Sequence, residues 1–244
     1  MSPTQETTTE VDPRAEAFEA AYPVRPIPTE QPINTDPISH PLTAEAAEEL
    51  AKYNPIWERI VPESRTRGND IHLPISLRFA QRLCDAYPEA DRDLVMISVI
   101  LHDTGWAHVD ESRILSEGFG DNWRKAAIRF EHEEQGCNVA RRVLGELDYS
   151  EEFIEKVCEI IDGHDTRPVA YSLEDALMRD SDRLWRFDHA GIALAASWFN
   201  QDPAWYTDRL TVEIIPELLT QAGYEMGTAD LARSKELLQT GVLR

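Results

Sequence analysis

Along most of the chain, apolar residues recur at spacings of three and four, the period of an α-helix seen from one side. In LPISLRFAQRLC, Leu73, Leu77, Ala80 and Cys84 fall on one face. HEEQGCNVARRVL aligns His132, Gly136, Val139 and Val143, and SEEFIEKVCEIIDGH aligns Phe153, Val157, Ile160 and His164. DLVMISVIL is apolar nearly all round from Leu94 to Leu101, with only Ser98 interrupting. A buried strand would read the same way, but Asp91 ahead of it suits an N-cap and its neighbours are helical, so a central helix is expected. Thr43 caps TAEAAEELAKY, with Glu45 in the first turn, where a carboxylate suits the helix dipole. Ser172 and Asp175 open SLEDALMRDSDRLW with a capping-box pattern. Two or three further helices are expected between Ala190 and Leu238. No segment alternates as a strand does, and no internal repeat is visible. The pattern implies an all-α protein.

The first 42 residues read differently, since they hold eight of the fifteen prolines. A segment so short of amide donors is not expected to run as a helix. Residues 1–42 are therefore expected to form a tail, its first twenty residues disordered and Tyr22–Pro41 draped over the domain in extended form. Residues 43–244 are expected to make a single helical domain, long enough to bury a sizeable core.

Charge narrows the field of partners. The net charge is −21 at pH 7, which repels duplex nucleic acid and anionic membranes before contact. A phosphorylated small molecule remains admissible where a metal or a few arginines invert the local potential. MSPTQETTTE has neither a basic nor an apolar leader segment, and no window reaches the length of a membrane span. Cys84, Cys137 and Cys158 are scattered and odd in number, as expected of reduced thiols in a cytoplasmic protein. The oligomeric state is not legible.

ILHDTGW raises the chemical question, because His102 and Asp103 follow directly on the buried run. They belong to an ordered series: His72, His102-Asp103, His132, His164 and Asp182. Imidazoles and carboxylates that face a core are costly without a partner, and a divalent cation is the natural one. Adjacent ligands on an ideal helix diverge by about 100°, but at a helix end both can turn toward one pocket. The last carboxylate is open between two residues. Helical spacing from Leu173, Ala176 and Leu177 puts Asp180 on the apolar stripe, with Asp182 two residues further on.

The series H…HD…H…H…D resembles the signature of the HD-domain superfamily, an all-helical fold of metal-dependent phosphohydrolases and some relatives. ILHDTGW, FEHEEQGCNVARRVL, IIDGHD and MRDSDRLWRF carry the resemblance, over roughly residues 70–190. It implies an HD-type helical bundle with His72, His102, Asp103 and Asp182 on one metal ion. Asp103 would bridge to a second ion held also by His132 and His164. Two divalent ions are thus expected, with Fe, Mn and Co all suited to such ligands.

Two metals bridged by a carboxylate suit in-line hydrolysis of a phosphoester. GFGDNW, starting at Gly118, is no phosphate-binding P-loop, because no Gly-Lys-Ser/Thr follows. The expected activity is hydrolysis of a small phosphorylated molecule or nucleotide. Arg78, Lys125, Arg129, Arg167 and Arg183 are candidates to grip its phosphate. Asp165 is a candidate orienting residue or proton relay, and Trp106, His108 and Asp110 are candidates to line the pocket. The runner-up is an HD-type mixed-valent di-iron oxygenase that cleaves a C–C or C–P bond of a small polar substrate. The compact 18-residue step from His164 to Asp182 leans toward the hydrolases. A purely sensory role has little use for six metal ligands.

Overall fold

A computed structural model of the chain describes residues 12–118 and 125–238. These residues form twelve α-helices: α1 (Pro13–Ala21), α2 (Ala44–Ala51), α3 (Asn54–Ile60), α4 (Asn69–Ala86), α5 (Arg92–Leu101), α6 (Glu111–Gly118), α7 (Ala127–Glu146), α8 (Glu151–Ile161), α9 (Leu173–Leu184), α10 (His189–Trp198), α11 (Pro203–Arg209) and α12 (Gln221–Leu238). A single pair of residues, Ile27 and Thr220, makes the one β-bridge among the described residues.

The middle of the molecule is α5, because it has no polar face to turn outward. Every residue from Leu94 to Leu101 is buried, and each fully buried aliphatic side chain contributes roughly 1.5–3 kcal/mol. The helix starts where the Asp91 carboxylate accepts the Leu94 N–H at 3.1 Å. Against it pack α4, α8 and α9, and α7 folds back on α8 as a helical hairpin. The face read from Leu73, Leu77, Ala80 and Cys84 is buried in this core. Yet α4 begins at Asn69, earlier than its apolar stripe: Gly68, at φ +77, turns the chain into the helix and brings His72 into the first turns. Ser172 accepts the Asp175 N–H at 3.2 Å, as its pattern predicts. The Asp175 carboxylate, however, takes the N–H of Tyr171 and not that of Ser172.

The proline-rich segment departs from expectation at one point. Residues 13–21 are helical, because Pro13 occupies the first turn behind an Asp12 N-cap, where no N–H is required. Phe18 on this helix is buried in the main core, and the Tyr171 hydroxyl donates to Asp12 at 2.9 Å. Residues 1–11, expected to be disordered, lie outside the described residues. From Tyr22 to Pro41 the chain forms no helix and runs as a strap. Ile27 donates to the Leu219 carbonyl and accepts from Gln221, both at 2.8 Å, and Ile27 and Ile38 insert into the core. No helix among the described residues is long and apolar enough to cross a membrane.

Candidate metal centre

His102 and Asp103 turn toward one cluster because α5 ends at Leu101, just before them. His102 is the C-cap of α5, and Asp103 has left the helix at φ −99°, ψ 6°. The next turn, residues 104–108, lies directly on α7. A Cβ on Gly105 would stand 1.9 Å from the His132 carbonyl oxygen, so only glycine allows this approach. From the same turn, Trp106 donates its indole N–H to Asp103 Oδ1 at 2.9 Å and stacks on His132 at 4.0 Å. His164 arrives by another device: Gly163, at φ +90, ends the α8 segment and turns the chain back inward.

Two of the imidazoles are oriented by their own backbones. His102 Nδ1 lies 2.8 Å from the Val99 carbonyl, and His164 Nδ1 lies 2.8 Å from that of Ile161. A carbonyl only accepts, so Nδ1 carries a proton there, and the Nε2 edge of each ring is turned toward the carboxylates. Trp185 stacks on His72 with centroids 4.5 Å apart. Asn69 holds the Asp103 carbonyl at 2.9 Å.

The side chains converge in three overlapping groups: His72, His102 and Asp182; His102, Asp103 and His164; and His132, His164 and Asp165. Within each group the ligand atoms lie within 4.8 Å of one another. Asp103 sits between the halves. Its Oδ2 is 3.2 Å from His72 Nδ1, and its Oδ1 is 3.6 Å from the Nε2 atoms of both His132 and His164. Asp182 Oδ1 lies 3.0 Å from His72 Nε2 and 3.4 Å from His102 Nε2. His72 Nε2, His102 Nε2 and both ring nitrogens of His132 are buried without a hydrogen bond. Buried polar atoms are rarely left so, and a divalent cation is the partner that fits these donors.

Charge in the site follows from its geometry. Burial opposes ionisation of Asp103, but His102, His132, His164 and His72 outweigh it and hold the carboxyl well below the usual range. Asp182 is likewise held well below that range against its burial, first by Arg186 and then by His102 and His72. Burial lowers His132. For His164, burial is outweighed by Asp165, Asp103 and Glu133, which push it up to about 9. Asp180 is a different case. Both its oxygens are taken by Leu219 N, Thr220 N and Thr220 Oγ1 at 2.6–2.9 Å, and burial pushes it up to about 6. It ties α9 to the segment before α12 and does not face the histidines.

Asp165 lies inside the cluster. Its Oδ2 is 3.7 Å from His132 Nε2 and 3.8 Å from His164 Nε2, and it pairs with Arg129. Glu133 fixes this loop by accepting from the N–H groups of Asp165 and Thr166 and from the Thr166 hydroxyl. A cavity of about 350 Å³ opens from Asp165 and Asp182, lined among others by Arg129, Arg183, Arg186, Trp198, Tyr206 and Arg209.

Three of the five expected phosphate-gripping residues lie elsewhere. Arg78 donates to the His40 carbonyl at the strap. Arg167 clamps Asp175 and the carbonyls of Asp162 and Val169. Lys125 is exposed at the edge of the segment that is not described. Arg78 is drawn to a partner distant in sequence, Arg167 to groups of its own loop and the start of α9, and Lys125 to water. His108 is half-exposed near Glu63, Asp110 accepts from the Ser112 N–H near the start of α6, and most of GFGDNW lies outside the described residues.

Two arginines at the site escape sequence reading. Arg186 Nη1 reaches the Asp182 carbonyl at 2.6 Å and its carboxylate at 3.4 Å. Arg67 lies between the rings of Trp106 and Trp198, with Nη1 3.7 Å from Asp103 Oδ2. The signals available were a basic residue one turn after Asp182, and an Arg-Gly pair ahead of the His72 helix.

Comparison with curated proteins and with solved structures returns no match to the chain. The family model described as HD domain matches residues 70–186, the segment that contains every residue of the three ligand groups. Over that segment the match supports placing the chain in the HD-domain superfamily.

Proposed function

We propose that this chain is a metal-dependent phosphohydrolase that binds two divalent ions and cleaves a phosphoester of a small molecule or nucleotide. The observation that supports it best is Asp103, set between two imidazole groups beside an arginine-lined cavity. His72, His102 and Asp182 would hold one ion and His132 and His164 the other, with Asp103 shared and Asp165 adjoining the second. Bound there, the ions would supply Lewis acidity and a water of lowered pKa.

The chain's own residues account for the remaining tasks. Arg129, Arg183 and Arg186 line the cavity next to Asp165 and Asp182. A guanidinium has five N–H donors, more than one carboxylate partner takes up, so these side chains can also bind phosphate oxygens. Asp165, paired through Oδ2 with Arg129 beside His132 and His164, would orient the second ion or its water. Trp106 and Trp185 hold the planes of His132 and His72 and keep bulk water from their outer faces.

The test is metal analysis of anaerobically purified protein, with phosphate release from a panel of phosphomonoesters in manganese or cobalt. Two metal equivalents and phosphate release, both lost in Asp103→Asn, are expected. A mixed-valent di-iron EPR signal with substrate-dependent oxygen uptake would overturn the hydrolase reading in favour of oxygen chemistry.

A further inference from the structure

The hairpin of α7 and α8 carries a second arrangement of reactive side chains, outside the metal centre. Cys137 lies five residues after His132, and Cys158 lies six before His164. The Cys137 thiol donates to the Cys158 carbonyl at 3.4 Å, and the Cys158 thiol donates to the Cys137 carbonyl at 3.7 Å. This reciprocal crossing brings both sulfur atoms into the seam between the helices. The two residues are 5% and 3% exposed, yet both line one surface cleft with Arg141, Glu155, Lys156 and Glu159. The third cysteine, Cys84, is on α4 and takes no part.

We propose that Cys137 and Cys158 are a redox-active thiol pair, a modification site that a hydroperoxide closes into a disulfide joining α7 to α8. The closeness of Cys137 lowers Cys158, with Arg141 adding to the effect, and the closeness of Cys158 raises Cys137. Cys158 is therefore the attacking thiolate. Its sulfur bonds to one peroxide oxygen, the O–O bond breaks, and the leaving alkoxide departs as the alcohol with the thiol proton. Cys137 then attacks the sulfenic sulfur, the S–O bond breaks, and hydroxide leaves as water with the second thiol proton. Two thiols lose two electrons in total, and the hydroperoxide is reduced to an alcohol and water.

The full chain, treated with hydrogen peroxide, is digested without reduction and mapped by mass spectrometry, alongside a thiol titration in denaturant. Loss of two of the three thiols, one intramolecular Cys137–Cys158 cross-link and recovery with dithiothreitol are expected. The oxidised chain should melt several degrees higher, since the bond restricts the unfolded state. Cys84→Ser should keep the cross-link. Cys137→Ser should abolish it and leave a sulfenic acid on Cys158 that dimedone traps. Intermolecular or Cys84-containing products, mainly irreversible oxidation, or three surviving thiols under peroxide that oxidises free cysteine would each overturn the proposal.

Discussion

Asp180 and Asp182 stand two residues apart on one helix, are both buried, and serve different partners. Asp182 faces His72 and His102, while Asp180 is saturated by donors from residues 219 and 220. Asp182→Asn should therefore lose metal while keeping its cooperative melt. Asp180→Ala should keep its metal but lose about 2–4 kcal/mol, because three buried donors are stranded; metal analysis beside urea unfolding separates the two. Helical spacing could not rank them, since α9 is buried on nearly every side and an apolar stripe has no meaning there; it was the family resemblance that favoured Asp182. The histidines were legible because imidazoles on apolar faces demand a partner. Arg67 was not, because its placement depends on a left-handed backbone at φ +56 that no periodicity encodes. His164, raised to about 9, adds a pH dependence. In the metal-free protein its stabilising protonation is fully present below about 6.5 and is lost as pH rises through 9. An incoming ion must displace that proton, so affinity should fall by up to about tenfold for each pH unit below 9. Manganese titrations of the metal-free protein at pH 7 and pH 8 would measure it.

At the scale of elements, the site depends on where helices end and how closely turns approach them. The 104–108 turn lies against α7 only because Gly105 has no side chain. Gly105→Ala should cost several kcal/mol and reduce metal content together with stability, since the clash is with backbone and Trp106 supports both His132 and Asp103. Thermal melts and metal analysis on one preparation would check that the two losses go together. Helix α1 shows the limit of reading by composition. The proline count argues against a helix in residues 1–42, yet Asp12 followed by Pro13 is a helix start, and Pro23 lies beyond its end. Position, not number, decides what a proline does. The long amphipathic helices were legible for the opposite reason, that one buried face repeats over several turns.

Across the whole molecule, the strap joins parts that helix packing alone leaves separate. Ile27 and Ile38 of the strap, and Phe18 of α1 ahead of it, enter the main core, and the Tyr87 hydroxyl donates to the Ile27 carbonyl at 2.6 Å. A chain that starts at Thr43 should melt lower by about 10–35 °C, given roughly 1.5–3 kcal/mol for each of these three buried side chains and about 2–4 °C per kcal/mol. It should keep its metal stoichiometry, since none of the ligand groups draws on residues 12–41; calorimetry and metal analysis would decide. The bridge between Ile27 and Thr220 also sets a timetable. The ribosome makes residue 27 early and residue 220 almost two hundred residues later. The helices around the metal centre can assemble in that interval, while the strap waits for its anchor and closes over them last.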